Sequence, residues 1–507
     1  LSDQTGRRVA RQHSQWYLAR IGSAREALLG PHSSQLSTTL YRDLDNLRLA
    51  WQTALEEGAM DKLQAALPGL STFYELRGLY EEMIGLCGAA IARIDAQPSD
   101  AQPVDVRSSD GKEKLWLRLR VHLQVAQANA LGYRGLHSQA RALAEEAIPQ
   151  ARAIGDSGAI VQATVICGRA ESEDEDMEAT IARMRRVLPL LGPEQDPSLV
   201  AEFRLLLGIC YSFINRHPEA AEQYIAAEAA LERTQNLALR GHLLLYRAID
   251  AAMQMDVWRS RQFVQEVLAI GAQTDNNFLR VRGLNMMGFS EAQLGNYAAA
   301  VTYHLEALAL SRQMGDPQIE NYALHNLCIN YTYLGNLPEA RRMGEAALEV
   351  GQRNRLQSGI SFAQLHLGHV LLEMGELAEG KEMLGLARDG MQGLGRPALA
   401  AEAAAGVTWA CYRLGDLSGA LDAAEAVLDF LAENSVQGCD EPARALWQMY
   451  QTLCGAGHPQ AAHILSLAHC WIQTVGDKIP DGPARHTFYT NNPFISSLVA
   501  AQTPLAR

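Results

Sequence analysis

Along the chain apolar residues recur every three to four positions, in runs separated by short polar or glycine-bearing breaks. That spacing predicts amphipathic helices, and no stretch alternates apolar and β-branched residues with polar ones as half-buried strands would. Self-comparison adds a period. LGNYAAAVTYHLEAL from Leu294, LGNLPEARRMGEAAL from Leu334, MGELAEGKEMLGLAR from Met374 and LGDLSGALDAAEAVL from Leu414 start 40 residues apart without gaps. Gly295, Gly335, Gly375 and Gly415 mark one turn, and the frame extends backwards through Met255, Asn215, Glu175 and Gly135.

Each unit has one apolar helix pattern before the turn and one after it, so each reads as a helical hairpin. Five positions after the turn stands a small or short side chain: Ala140, Thr180, Ala220, Ser260, Ala300, Ala340, Gly380 and Ala420. Two helices crossing at 8–10 Å tolerate nothing larger at the crossing point, which explains the recurrence. With about 16 residues per helix, or roughly 25 Å, one hairpin buries too little apolar surface to stand alone, so neighbours must stack. The expected fold is all-α, an α-solenoid of antiparallel helical hairpins.

Composition narrows the classes. The chain has 507 residues, 7% aromatic content and a formal charge of −13 with both signs interspersed. A basic stripe able to neutralise phosphates is lacking, which argues against direct nucleic acid binding. No uninterrupted apolar run reaches about 18 residues and the start, LSDQTGRRVARQ, has no apolar signal region, so neither a membrane partner nor export is expected and the predicted location is cytoplasmic. Eight cysteines, at 87, 167, 210, 328, 411, 439, 454 and 470, form no CxxC pair and read as reduced packing residues. The chain opens at Leu1 inside a helical pattern already under way, which predicts a piece of something longer.

The repeat resembles the tetratricopeptide repeat, whose small residue at position 8, Gly/Ala at 20 and Ala at 27 fall here on Gly288, Ala300 and Ala307. The usual period is 34; a period of 40 is similar to the longer repeats of bacterial signal-transduction ATPases and peptide-sensing transcription regulators. The consensus Trp and closing Pro are mostly missing.

Both ends carry a second resemblance. RRVARQHSQWYLAR, the DNLR-bearing YRDLDNLRLAWQTALEEG (Tyr41 to Gly58) and LRGLYEEMIGLCGAAI (Leu76 to Ile91) look like the segment that follows the ATPase and winged-helix modules in bacterial STAND-class regulators. GDKIPDGPARHTFYTNNPFISSLVAA (Gly476 to Ala501), with Arg485, Phe488, Asn491 and Pro493, resembles the closing helices of the same proteins. The resemblance implies a sensor arm in signal transduction and transcription regulation, which takes an inducer and restrains an upstream ATPase module. It also sets expected boundaries: N-terminal hairpins over 1–96, a loop or insertion rich in Pro, Ser and Asp over 97–114, the repeat array over 115–474 and a C-terminal capping segment over 475–507.

Other motifs reduce to the repeat. GELAEGKE (Gly375 to Glu382) has the GxxxxGK spacing of a phosphate loop, but Glu382 stands where magnesium needs Ser or Thr, and a helix rather than a strand precedes it. His366 and His369 are one helical turn apart and could share a metal, yet nothing close in sequence supplies a third ligand, so they read as ordinary helix histidines. The acidic run ESEDED, Glu171 to Asp176, reads as a solvated hairpin tip without calcium-loop geometry. No catalytic group stands out; no enzyme activity, metal or cofactor is expected.

In tetratricopeptide arrays the first helix of each hairpin lines the concave face, and the resemblance transfers those inward positions to Arg282, Asn285, Phe289, Tyr322, His325, Tyr333, His369, Trp409, Tyr412 and Arg413. Aromatic and hydrogen-bonding groups of this kind suit a recognition surface. Four first helices about 10 Å apart span roughly 30 Å, the length of an extended peptide of about nine residues. The partner is thus a protein or peptide, or a small-molecule inducer over part of the surface. Three readings follow: the sensor arm of a STAND-class ATPase, a stand-alone scaffold or peptide-sensing receptor, and, least, an enzyme with dispersed groups.

Overall fold

The computed structural model describes residues 3–96, 111–173, 176–480 and 482–501. Among them are helices and turns but no strand. The chain divides into two compact units, residues 1–243 with 273–275, and residues 244–272 with 276–507.

The first unit contains α1 (Asp3–Ser23), α2 (Arg25–Leu29), α3 (Ser33–Arg42), α4 (Leu44–Glu57), α5 (Met60–Arg77), α6 (Tyr80–Asp95), α7 (Gly111–Tyr133), α8 (His137–Ala153), α9 (Ser157–Glu173), α10 (Met177–Val187), α11 (Pro197–Phe213) and α12 (His217–Leu231). Helix α1 packs on α4 and α5. The approach is close enough that a Cβ added to Gly69 would stand 2.0 Å from the carbonyl oxygen of Ile21. Arg48, from the DNLR phrase, donates from Nε and Nη2 to Glu82 of the LRGxYxE phrase, each at 2.6 Å, and the Tyr74 hydroxyl donates to the same carboxylate at 2.7 Å. Of the expected loop over 97–114, residues 97–110 lie outside the described residues, and the last four belong to α7. The acidic run departs from expectation at Glu171. It is buried and paired with Arg183 at 2.6 Å and Arg141 at 3.5 Å, because the two arginines of the neighbouring helices replace the water a hairpin tip would have; Asp174 and Glu175 lie outside the described residues.

Helix α13 (Leu237–Met253) begins in the first unit and ends in the second. The second unit continues with α14 (Val257–Gln273), α15 (Asn277–Gln293), α16 (Tyr297–Met314), α17 (Pro317–Tyr333), α18 (Leu337–Asn354), α19 (Gln357–Met374), α20 (Leu377–Gly393), α21 (Pro397–Arg413), α22 (Leu417–Glu433), α23 (Pro442–Gly455), α24 (Ala461–Gly476), α25 (Pro483–Asn491) and α26 (Pro493–Ala500). From α15 to α22 each helix packs on the next, while α15, α17, α19, α21 and α23 also pack on one another as an inner layer.

The 40-residue frame is visible in the backbone. Gly135, Asn215, Met255, Gly295, Gly335, Gly375 and Gly415 all take left-handed φ between 58° and 83°. Halfway between them Gly155, Asp275, Gly315, Arg355 and Gly395 do the same at 51° to 70°. The residue after each turn bonds back into the helix, as Asn296 N to Glu291 O and Asn336 N to Tyr331 O do at 2.8 and 2.9 Å, so a helix end is sealed about every 20 residues. Some helix starts carry side-chain caps, Asp316 accepting from the amides of Gln318 and Ile319 and Asp416 from that of Gly419. The crossing residues Thr180, Ala220, Ser260, Ala300, Ala340 and Ala420 are fully buried. A Cβ on Gly380 would meet Leu372 at 2.7 Å.

The end of the second unit returns to its beginning. Trp471 Nε1 reaches Met255 Sδ at 2.9 Å, Lys478 Nζ donates to Gln254 O at 2.7 Å and Asn491 Nδ2 to Gly295 O at 3.2 Å. Gly295 is required twice over, by its φ of 83° and by the carbonyl oxygen of Thr487, 2.9 Å from where a Cβ would stand.

Candidate functional site

All ten residues singled out from the sequence lie on the inner layer of the second unit, and they separate into an outward-facing set and an interior set. In the first set, Trp409 and Tyr412 of α21 stack at 5.7 Å, and the Arg413 guanidinium lies 5.4 Å from the Trp409 ring. On α15, Arg282 covers Phe278 at 3.8 Å and pairs with Asp316 at 3.3 Å, while Asn285 accepts from Asn326 at 3.3 Å. Tyr322 of α17 accepts from Gln318 at 3.3 Å. These side chains are partly exposed, and Arg413 is exposed.

In the interior set His325 and His369 are buried, while Phe289 and Tyr333 keep part of their surface exposed. His325 is buried beside Phe362 at 5.1 Å and His366 at 5.3 Å, two rings that themselves lie 6.0 Å apart. Tyr333 lies parallel to Tyr297 at 4.4 Å and meets Phe494 of α26 edge-to-face at 6.0 Å, so the returning C-terminal segment covers part of it. His369 is buried against Glu402 of α21 and Glu441 at the start of α23. Phe289 and Tyr333 line a cavity of about 40 Å³ together with Tyr297, His304, Asn330 and Glu441. That volume holds a water or two rather than a peptide.

Sequence reasoning passed over the charged groups here. Arg444 is buried, its Nε 3.1 Å from Glu441 Oε2 and its Nη1 3.5 Å from Glu373. Burial works against the Arg444 charge, but Glu441, Tyr333 and Glu373 outweigh it and raise its pKa. Glu402 accepts from the amides of Asp440 at 2.6 Å and Glu441 at 3.1 Å. Burial, with Asp440 and Glu441 close by, pushes its carboxyl well above the usual carboxylate range. His366 Nε2 lies 3.3 Å from Asp440 Oδ2. Burial also lowers His304 to about 3, and lowers His325 and His369, the latter further through Arg444. A lone Glu or Arg in a helix pattern carries no mark of burial, so no signal in the sequence pointed to Glu402 or Arg444.

On the outside of the second unit, Arg247 and Arg259 flank the Phe263 ring at 4.5 and 5.6 Å beside an open groove of about 610 Å³. Among the described residues no helix is long and apolar enough to cross a membrane.

Against known proteins, residues 282–314, the α15–α16 hairpin, match the tetratricopeptide repeat. No curated protein matches the chain in sequence. Among solved structures it is similar to a Rap protein complexed with Competence and Sporulation Factor, at 15% identity and a TM-score of 0.57, over 71% of this chain and 99% of that one. It is also similar to the apo form of RapI, at 12% identity and 0.46, over 53% and 96%. A third is a STAND protein with a tetratricopeptide repeat sensor from Pyrococcus horikoshii, at 14% identity and 0.44, over 63% and 53%. The class is therefore a tetratricopeptide-like α-solenoid.

Proposed function

We propose that this chain is a regulatory binding arm rather than an enzyme, recognising a protein or peptide segment through the partly exposed aromatic and guanidinium groups of its inner layer. The observation that carries the reading is the stack of Trp409 and Tyr412 with Arg413 alongside, half-open to solvent on α21. Rigid rings of this kind supply contact area at small entropic cost, and a guanidinium fixes orientation. The parent is a STAND-class signalling ATPase working in the cytoplasm, in which occupancy of the arm shifts the balance between a closed and an assembly-competent state. The motifs of the N-terminal hairpins, joined by Arg48 and Glu82, support that parent.

A second reading, a stand-alone peptide receptor or scaffold, is favoured by the fold of a whole Rap protein being spanned at 99% of its length. The mass of the native polypeptide separates the two, since a band near 55.5 kDa removes the ATPase arm and a much larger one supports it. For binding itself, a displayed peptide library is selected on the purified chain. Sequences that bind it and lose affinity at least tenfold on Trp409→Ala support the reading; enrichment indifferent to Trp409 and Tyr322 removes this surface.

A further inference from the structure

We propose that the interior of the second unit is a binding site for one divalent transition-metal ion of the zinc class, held by His369, Glu402 and Glu441. The three come from α19, α21 and the start of α23, and one ligand atom of each lies within 4.8 Å of the other two. All three side chains are buried, at 2%, 2% and 7% exposure. Ligands about 2.0–2.2 Å from a tetrahedral ion stand about 3.4 Å apart, so the ligand atoms would close by up to about 1.4 Å when an ion binds.

The decisive observation is on His369. Both its ring nitrogens are enclosed and have no hydrogen-bond partner, an arrangement that costs free energy unless something accepts the lone pair or the proton. The ring is also deliberately housed: a Cβ on Gly406 would stand 2.9 Å from His369 Cε1. His304, His325 and His366 share this lack of a hydrogen-bond partner, and among the four it is His369 that is grouped with two carboxylates.

The surrounding charges and second contacts agree. Glu402, Asp440 and Glu441 bring three carboxylates to this interior, against one buried guanidinium, Arg444. Metal-binding carboxylates are normally oriented by hydrogen bonds from outside the ligand set; here the amides of Asp440 and Glu441 hold Glu402 at 2.6 and 3.1 Å, and Arg444 Nη2 donates to Glu441 Oε1 at 3.4 Å. One imidazole with two carboxylates suits Zn²⁺, Mn²⁺, Fe²⁺ or Co²⁺, whereas magnesium and calcium prefer oxygen alone.

The test uses the full chain, stripped with chelator and dialysed against ZnCl₂. The expected result is one zinc per chain at micromolar free metal, a raised Tm, and affinity at least tenfold weaker in His369→Gln and Glu402→Gln. No zinc uptake by the wild type, or uptake unchanged in both variants, overturns the site. Should a variant fail to fold, wild-type protein loaded with Fe²⁺ and treated with ascorbate decides the matter: cleavage next to residues 369, 402 and 441 supports the site, and cleavage confined elsewhere overturns it.

Discussion

The imidazole of His304 lies against α15 where a side chain of Gly288 would be: a Cβ added there would stand 2.6 Å from the His304 ring. The glycine at the eighth position of the repeat thus admits a large buried ring from the second helix of the same hairpin. Gly288→Ala forces that ring aside, and overpacking of this kind costs about 1–3 kcal/mol. Urea unfolding of the second unit should show the loss.

The same ring makes the fold acid-sensitive. Burial holds His304 at about 3, far below the ordinary value of about 6.5. Its contribution is fully present above pH 6.5 and falls as the unfolded chain takes up the proton that the folded chain refuses. Between pH 6.5 and pH 5 this one group removes about 2 kcal/mol. His304→Leu should flatten the pH dependence of the unfolding midpoint over that window by a corresponding amount; an unchanged slope would show that the ring ionises in place.

Two residues on the inner layer should separate cleanly. His325 is buried against Phe362 and His366, so His325→Ala leaves a cavity and should lower stability by about 2–4 kcal/mol. Trp409 is only partly buried, and Trp409→Ala should shift Tm much less while weakening binding of selected peptides. Thermal melts of the two variants side by side check the contrast.

In the first unit the paired donors of Arg48 meet both oxygens of Glu82. Arg48 remains partly exposed, so the pair is worth a fraction of what a buried one would be. A double-mutant cycle of Arg48→Ala and Glu82→Ala should give a coupling of about 0.5–1 kcal/mol that weakens in high salt.

Arg355 closes α18 with a left-handed φ of 58°. Left-handed backbone costs a side-chain-bearing residue about 1–2 kcal/mol, more than the extra freedom glycine brings to the unfolded chain. Arg355→Gly should therefore raise the melting midpoint slightly, the reverse of what glycine substitution does inside a helix.

What was legible beforehand was what local chemistry encodes. Turn glycines and small crossing residues each act within one hairpin, and the 40-residue frame repeats them, so helix class, turn positions and stacking could be read from the chain alone. The frame also placed His369, Tyr333 and Trp409 on one layer of helices. It could not tell which of them face water, because that depends on the return of α23 to α26 over the inner layer. Tyr333 is partly covered by Phe494, 161 positions later in the chain, and His369 meets Glu402 and Glu441 only across three helices. Helical periodicity assigns a residue to a face and carries no record of what arrives there from far along the chain; burial, and the shifts it imposes on His304, His369 and Glu402, belong to the tertiary structure.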